Sequence, residues 1–142
     1  MITPRILLGI AALAVASISY GQSAAVVADK TSAAAGSEIS LTASATYSGT
    51  PAAMGWAVTL PEGWTYVSTA GPDVPAISPQ PGATGTIEWA YTDAPAGVAH
   101  FRFTVKVAGK AGDSAIKAKL ILRSGGKEQS ADAPAVVVSV SR

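Results

Sequence analysis

The chain has 142 residues, with Lys+Arg 10, Asp+Glu 9, one His and no Cys. That length fits one domain, and the missing Cys rule out a disulfide scaffold, a thiolate metal site and a thiol nucleophile. A formal net charge of +1 argues against a nucleic-acid binder, which carries a marked basic excess. Ala fills 29 positions, so the 49% hydrophobic content overstates the large side chains available for a core.

Residues 1–21 have the three parts of a secretory signal: Arg5 as the positive start, an apolar run over residues 6–18 broken only by Gly9 and Ser17, and then Ser19-Tyr20-Gly21. Ser19 and Gly21 fit the small-residue pockets of a signal peptidase, which puts the cut before Gln22. The apolar run has 13 residues, short of the roughly 20 that span a bilayer; retention as an uncleaved anchor is the rival reading. Removal takes away Arg5 alone and leaves residues 22–142 as one domain with Lys+Arg 9 against Asp+Glu 9. No later apolar stretch is long enough for a span, so the expected product is released into a periplasm or the medium.

Side chains of a strand alternate between faces, so a half-buried strand alternates apolar and polar residues. After a short first strand at Ala25-Val26-Val27-Ala28 and a turn at Ala35-Gly36-Ser37, residues 38–47 alternate cleanly, with Ile39, Leu41, Ala43, Ala45 and Tyr47 on one face. Met54, Trp56, Val58 and Leu60 alternate with Gly55, Ala57 and Thr59 before the turn Pro61-Glu62-Gly63, and a β-rich run over residues 64–69 follows. Residues 70–84 contain Pro72, Pro75, Pro79 and Pro81, and proline cannot donate to a ladder, so this segment is a long loop. Ile87, Trp89 and Tyr91 begin the next strand; Phe101, Phe103, Val105 and Val107 mark another, set against His100, Arg102, Thr104 and Lys106. A turn over residues 109–113 predicts a hairpin to Ile116, Ala118, Leu120 and Leu122; Ser124-Gly125-Gly126 turns again, and residues 135–141 are the last strand. Eight or nine short strands with frequent turn signals are the signature of an all-β sandwich or barrel. One-sided alternation favours antiparallel sheets with one wet face, burying Trp56, Trp89, Phe101, Phe103, Leu41 and Leu120.

The stretch Val58-Thr59-Leu60-Pro61-Glu62-Gly63-Trp64-Thr65-Tyr66-Val67-Ser68 resembles the Leu-Pro-x-Gly, apolar, x, aromatic, Val-Ser line of conserved-repeat Ig-like domains in bacterial surface proteins. The order of a Trp89 strand, a Pro95/Gly97 turn, Phe101-Arg102-Phe103-Thr104-Val105-Lys106-Val107 and a Gly112-Asp113 turn is similar to the same family. Residues 101–122 also resemble the end of cohesin-type modules. The resemblance covers about residues 25–140 and implies an antiparallel Ig-like or cohesin-like β-sandwich, with an extracellular structural or binding role and no catalytic residues.

The residues themselves offer little for catalysis. His100 is the only His, stands on a strand face with Arg102 and Lys106, and has no Gly-x-Ser-x-Gly elbow to serve. Glu62 and Glu88 are the nominal carboxylate pair for glycoside chemistry, with nothing in the sequence to bring them together. Asp73, Asp93 and Asp132, taken as loop residues, could offer carboxylates to Ca²⁺, but no metal-ligand spacing occurs and no metal or other cofactor is expected. Two candidate ligand surfaces remain. Aromatic faces stack on sugars, and Trp64, just past a turn, with Tyr66 beside it, is the candidate for an exposed platform. From His100 to Lys127 there are seven cations and one acid, Asp113; if residues 99–108 and 114–123 form a hairpin, Arg102, Lys106, Lys117 and Lys119 share its polar face and could meet an anionic polysaccharide or lipid. The expectation is a secreted, non-catalytic module that binds or assembles with a protein or polysaccharide of the cell envelope or matrix. The alternatives are a carbohydrate-binding protein using exposed aromatics and, third, a secreted hydrolase.

Overall fold

The computed structural model describes residues 22–142; residues 1–21, expected from the sequence to be a signal segment, lie outside the described residues. Nine strands and no helix are found there: β1 Ser23–Ala28, β2 Ser32–Ala34, β3 Glu38–Thr46, β4 Ala53–Thr59, β5 Thr65–Ala70, β6 Thr86–Tyr91, β7 Val98–Lys106, β8 Gly112–Ser124 and β9 Lys127–Ser141. They form a four-stranded sheet in the order β1-β3-β7-β5 and a five-stranded sheet in the order β2-β9-β8-β4-β6. All pairings are antiparallel except the short β2–β9 contact.

The period-2 pattern decides what goes inside. On β3, Ile39, Leu41, Ala43 and Ala45 are buried while Glu38 and Thr46 are exposed; on β7, Phe101, Phe103 and Val105 are buried while His100, Arg102 and Lys106 are exposed. The facing sheet contributes Trp56, Val58, Ile87, Trp89, Ile116, Leu120 and Val138. Trp89 is the hub, its ring centroid 4.8 Å from Phe103 and 5.3 Å from Phe101, with Tyr66 edge-on at 5.9 Å. Such tilted and edge-to-face pairs stabilise beyond the area they bury. The six core residues expected from the sequence are all in place.

One connection differs from expectation. β7 and β8 do not form a hairpin: β7 pairs with β3 and β5, whereas β8 pairs with β4 and β9 in the other sheet. Residues 107–111 cross between the layers, with Val107 tied to the β2–β3 turn by Gly36 N–H to Val107 O at 2.7 Å and Val107 N–H to Ser37 O at 2.8 Å. Alternation fixes which side chains enter the core, and two strands facing across the core satisfy it as well as two strands side by side. β9 also begins earlier than residue 135: its first half has only Ala131 and Ala133 as apolar residues on its inner side, a pattern too weak to mark a strand in the sequence. Opposite Lys117 it places both Pro134 and Ala135, a bulge that accommodates a proline without a ladder partner.

The proline-rich loop, residues 71–85, runs along one side of the sandwich and joins two edge strands. Ile77 and Ala90 exchange backbone hydrogen bonds of 3.0 Å on the β6 edge, while Tyr66 on the β5 edge donates to Ala83 O at 2.9 Å and accepts from Gly82 N–H at 2.8 Å. Asp73 anchors its start, with Asp73 N–H on His100 O and His100 N–H on Asp73 Oδ2, both 3.1 Å.

Candidate docking face

The outer face of the five-stranded sheet has a floor and two rims. β4 lies between β8 and β6 and turns Ala53, Gly55, Ala57 and Thr59 outward. These small residues follow from the alternation with Met54, Trp56 and Val58, which are buried. Gly55 has a packing reason to be glycine: a Cβ there would stand 3.0 Å from the Trp89 carbonyl oxygen. Lys117, Lys119, Ile121 and Arg123 of β8 form one rim, and Thr86, Glu88 and Ala90 of β6 the other.

The register sets rows across this trough. One row reads Glu88, Ala57, Lys119, Asp132; the next reads Thr86, Thr59, Lys117; another reads Ala90, Gly55, Ile121. With strands about 4.8 Å apart, Glu88 and Lys119 stand on either side of Ala57 and leave the middle open. Two shallow hollows result, of about 480 Å³ around Ala57, Thr59, Lys117 and Lys119, and of about 270 Å³ around Gly55, Glu88, Ile121 and Arg123. Arg123 is committed to Glu128 at 2.7 Å, whereas Lys117 and Lys119 hold no ion pair among the described residues. Thr59 and Thr86 hydroxyls bond each other at 3.0 Å across the floor.

The expected cation cluster is split. Arg102 and Lys106 lie on the outer face of the four-stranded sheet, opposite Thr42 and Glu38, while Lys117 and Lys119 lie on the outer face of the five-stranded sheet. The cause is the crossing of residues 107–111. His100 sits with Arg102, its Nδ1 3.7 Å from Asp73 Oδ2.

The expected exposed aromatic platform is also overturned. Trp64 is 0% exposed and Tyr66 4%. The turn closed by Trp64 N–H on Pro61 O at 3.1 Å delivers both residues to the inner side of β5, where Thr65 rather than its neighbours faces out beside Lys106. Tyr47, Trp56, Trp89, Tyr91, Phe101 and Phe103 are buried as well, so every Phe, Trp and Tyr ring among the described residues is in the core. Asp132, expected in a loop, lies in β9, and no group of three metal-ligating side chains occurs among the described residues. Glu62 and Glu88 line different hollows.

Burial is the main cause of the two titration shifts, with Asp73 second. It raises Tyr91 well above its ordinary value of 10.0 and raises Tyr47. Both hydroxyls donate to loop carbonyls, Tyr91 to Asp73 O and Tyr47 to Pro95 O.

The trough was only half visible in the sequence. The row Gly55, Ala57, Thr59 could be read as the polar or small side of a strand, but its rims could not, because strand neighbours were unknown.

No protein-family model matches the chain, and no curated protein matches it. Solved structures do. The major pilin SpaD of Corynebacterium diphtheriae superposes with a TM-score of 0.66 at 16% identity, covering 82% of this chain and 35% of the pilin. The cohesin of a type I cohesin–dockerin complex, Coh-OlpA-Doc918 from Clostridium thermocellum, gives 0.59 at 13% identity, covering 84% of this chain and 99% of that one. The C-terminal domain of the BspA polypeptide of Streptococcus agalactiae gives 0.57 at 16% identity, covering 83% of this chain and 49% of that one. The chain thus spans about a third of the pilin and about half of the BspA fragment, but a whole cohesin. The fold is an Ig-like, cohesin-like β-sandwich.

Proposed function

We propose that this chain is an exported, non-catalytic module that docks a protein partner of the cell envelope or matrix on the outer face of its five-stranded sheet. The observation that carries the reading is the trough itself: a floor of Ala53, Gly55 and Ala57 between raised rims, one of them bearing Lys117 and Lys119, neither held in an ion pair among the described residues although Asp132 lies opposite Lys119. A side-chain-poor floor admits the backbone or small side chains of a partner, and rim charges steer and orient it. Lys117 and Lys119 contact the partner and favour an acidic segment; Arg102 and Lys106 face away from it. The likeness to a cohesin solved with its dockerin supports a protein rather than a sugar as the partner. The burial of every described Phe, Trp and Tyr ring points the same way, since it leaves none of them for stacking on sugars. Export rests on the signal-like composition of residues 1–21.

The test is capture with variants on opposite faces. The full chain, immobilised, is exposed to an envelope fraction with the wild type, Ala57→Arg and Thr42→Arg in parallel. Ala57→Arg fills the trough and weakens capture at least about tenfold, equivalent to about 1.4 kcal/mol. Thr42→Arg, on the four-stranded face, leaves it intact. Capture that survives Ala57→Arg and fails with Thr42→Arg would move the interface to the other sheet.

A further inference from the structure

A β-sandwich has four lateral edges, and three of them are protected here. The β5 edge is tied to Gly82 and Ala83, and the β6 edge to Ile77. The β9 edge is partly covered by the three-residue β2; its remainder carries Lys127, Glu128, Asp132 and Pro134 and a bulge. These are the devices by which sheets avoid adding further strands. The fourth edge, β1, carries none of these along its own six residues; β9 lies close beside it, and Gln22, just ahead of β1, donates Nε2–H to Ser130 O at 3.4 Å. The β1 sequence is Ser-Ala-Ala-Val-Val-Ala, with no charge and no proline, and its register with β3 runs unbroken from Ser23–Thr46 to Ala28–Leu41.

We propose that β1 is a strand-pairing edge that takes a second copy of this chain, in antiparallel register about a two-fold axis at Val26. Asp29 N–H bonds to Ser40 O, so by alternation the odd residues of β1 direct their backbone groups to β3, and Ala24, Val26 and Ala28 direct theirs to the free edge. Opposing two such edges places Ala24 against Ala28 of the second copy and Val26 against itself. Three hydrogen-bonded pairs follow, or about six backbone bonds. The side chains fit the same register. Val27, 64% exposed on the outer face, meets Ala25 of the second copy, so that each large residue is set against a small one. Asp29 and Lys30 fall beyond the paired segment, so no like charges are placed opposite each other. A second copy is the occupant because an edge of neutral, small residues is complementary to itself under a two-fold. The product is a continuous eight-stranded sheet that leaves the trough on the other sheet free.

The experiment is light scattering on the full chain over roughly a hundredfold range of concentration, with hydrogen exchange read at single amides. The expected result is a mass moving from one copy to two as concentration rises, with exchange at Ala24, Val26 and Ala28 slowing in step. Ala24→Pro and Ala28→Pro each remove an outward donor without touching the β1–β3 ladder, and shift the transition to at least about tenfold higher concentration. Val27→Lys serves as a variant without backbone change and acts in the same direction. A mass of one copy throughout, or a dimer that persists in all three variants with folded dichroism spectra, overturns the proposal. Neither result bears on capture at the trough.

Discussion

At the scale of single residues, the chain places its few large side chains with little redundancy. Trp64 shows how a local rule misleads. A tryptophan just after a Pro-Glu-Gly turn looks exposed, yet the parity it shares with Tyr66 sends both inward, and an Ala-rich core has room for them. Tyr91 gives a prediction at this scale. Its folded pKa is raised by burial first and by Asp73 second. Below its ordinary value of 10.0 the phenol is protonated in both folded and unfolded chains and costs nothing. Above that value the unfolded chain loses the proton while the folded chain keeps it, so stability falls as pH rises. The expected outcome is a melting temperature that declines from about pH 10 upward. The decline should be shallower in Tyr91→Phe, which has no proton to lose. Thermal melts by far-UV dichroism between neutral pH and strong alkali check this; equal slopes in the two proteins would assign the loss to other groups.

At the scale of elements, strands with strict alternation were legible and those without it were not. β3, β4, β6 and β7 fell where the sequence placed them, because each has one wholly apolar face. β2 and the first half of β9 did not, since three residues carry no period and Lys127 to Pro134 has no large apolar residue, only Ala131 and Ala133 on its inner side. The proline-rich loop was recognised from composition, but its task of covering two edges depends on tertiary partners that composition does not reveal. Its fastening at Asp73 makes the second prediction. Asp73 presents Oδ2 to the His100 N–H while its own N–H reaches His100 O. Asp73→Ala keeps the backbone bond and removes the carboxylate, a loss of about 1–2 kcal/mol from a charge-assisted bond that is partly exposed. Because the bond belongs to the loop's own fastening, the effect is local opening. Exchange at His100 and at Ile77 should accelerate and limited proteolysis within residues 71–85 should quicken, with the melting temperature changing little. A cleavage rate unchanged by the substitution would mean that Ile77 and the Ala83 bridge hold the loop without Asp73.

At the scale of the whole molecule, the crossing at residues 107–111 matters most for function, because it separates cations that are close in sequence onto opposite surfaces and leaves Lys117 and Lys119 beside the small-residue floor. Side-chain alternation cannot reveal such a crossing, since it leaves the inside and outside of each strand unchanged. The same arrangement makes the two sheets depend on one another. Trp89 belongs to the five-stranded sheet, yet its ring packs on Phe101, Phe103 and Tyr66 of the other, and its Nε1–H donates to Thr69 at 2.9 Å. Trp89→Ala therefore removes the main bridge across the core. Truncating a buried tryptophan costs about 3–5 kcal/mol, a large share of the stability of a domain this size. If the sheets fold as one unit, the variant loses stability in a single transition, with far-UV and near-UV signals moving together to lower denaturant. If each sheet were held by its own contacts, the two probes would separate, with near-UV signal from Tyr66, Phe101 and Phe103 lost first. Urea titration followed by both signals distinguishes the cases. Coincidence is expected, because neither sheet has a second apolar face on which to stand alone.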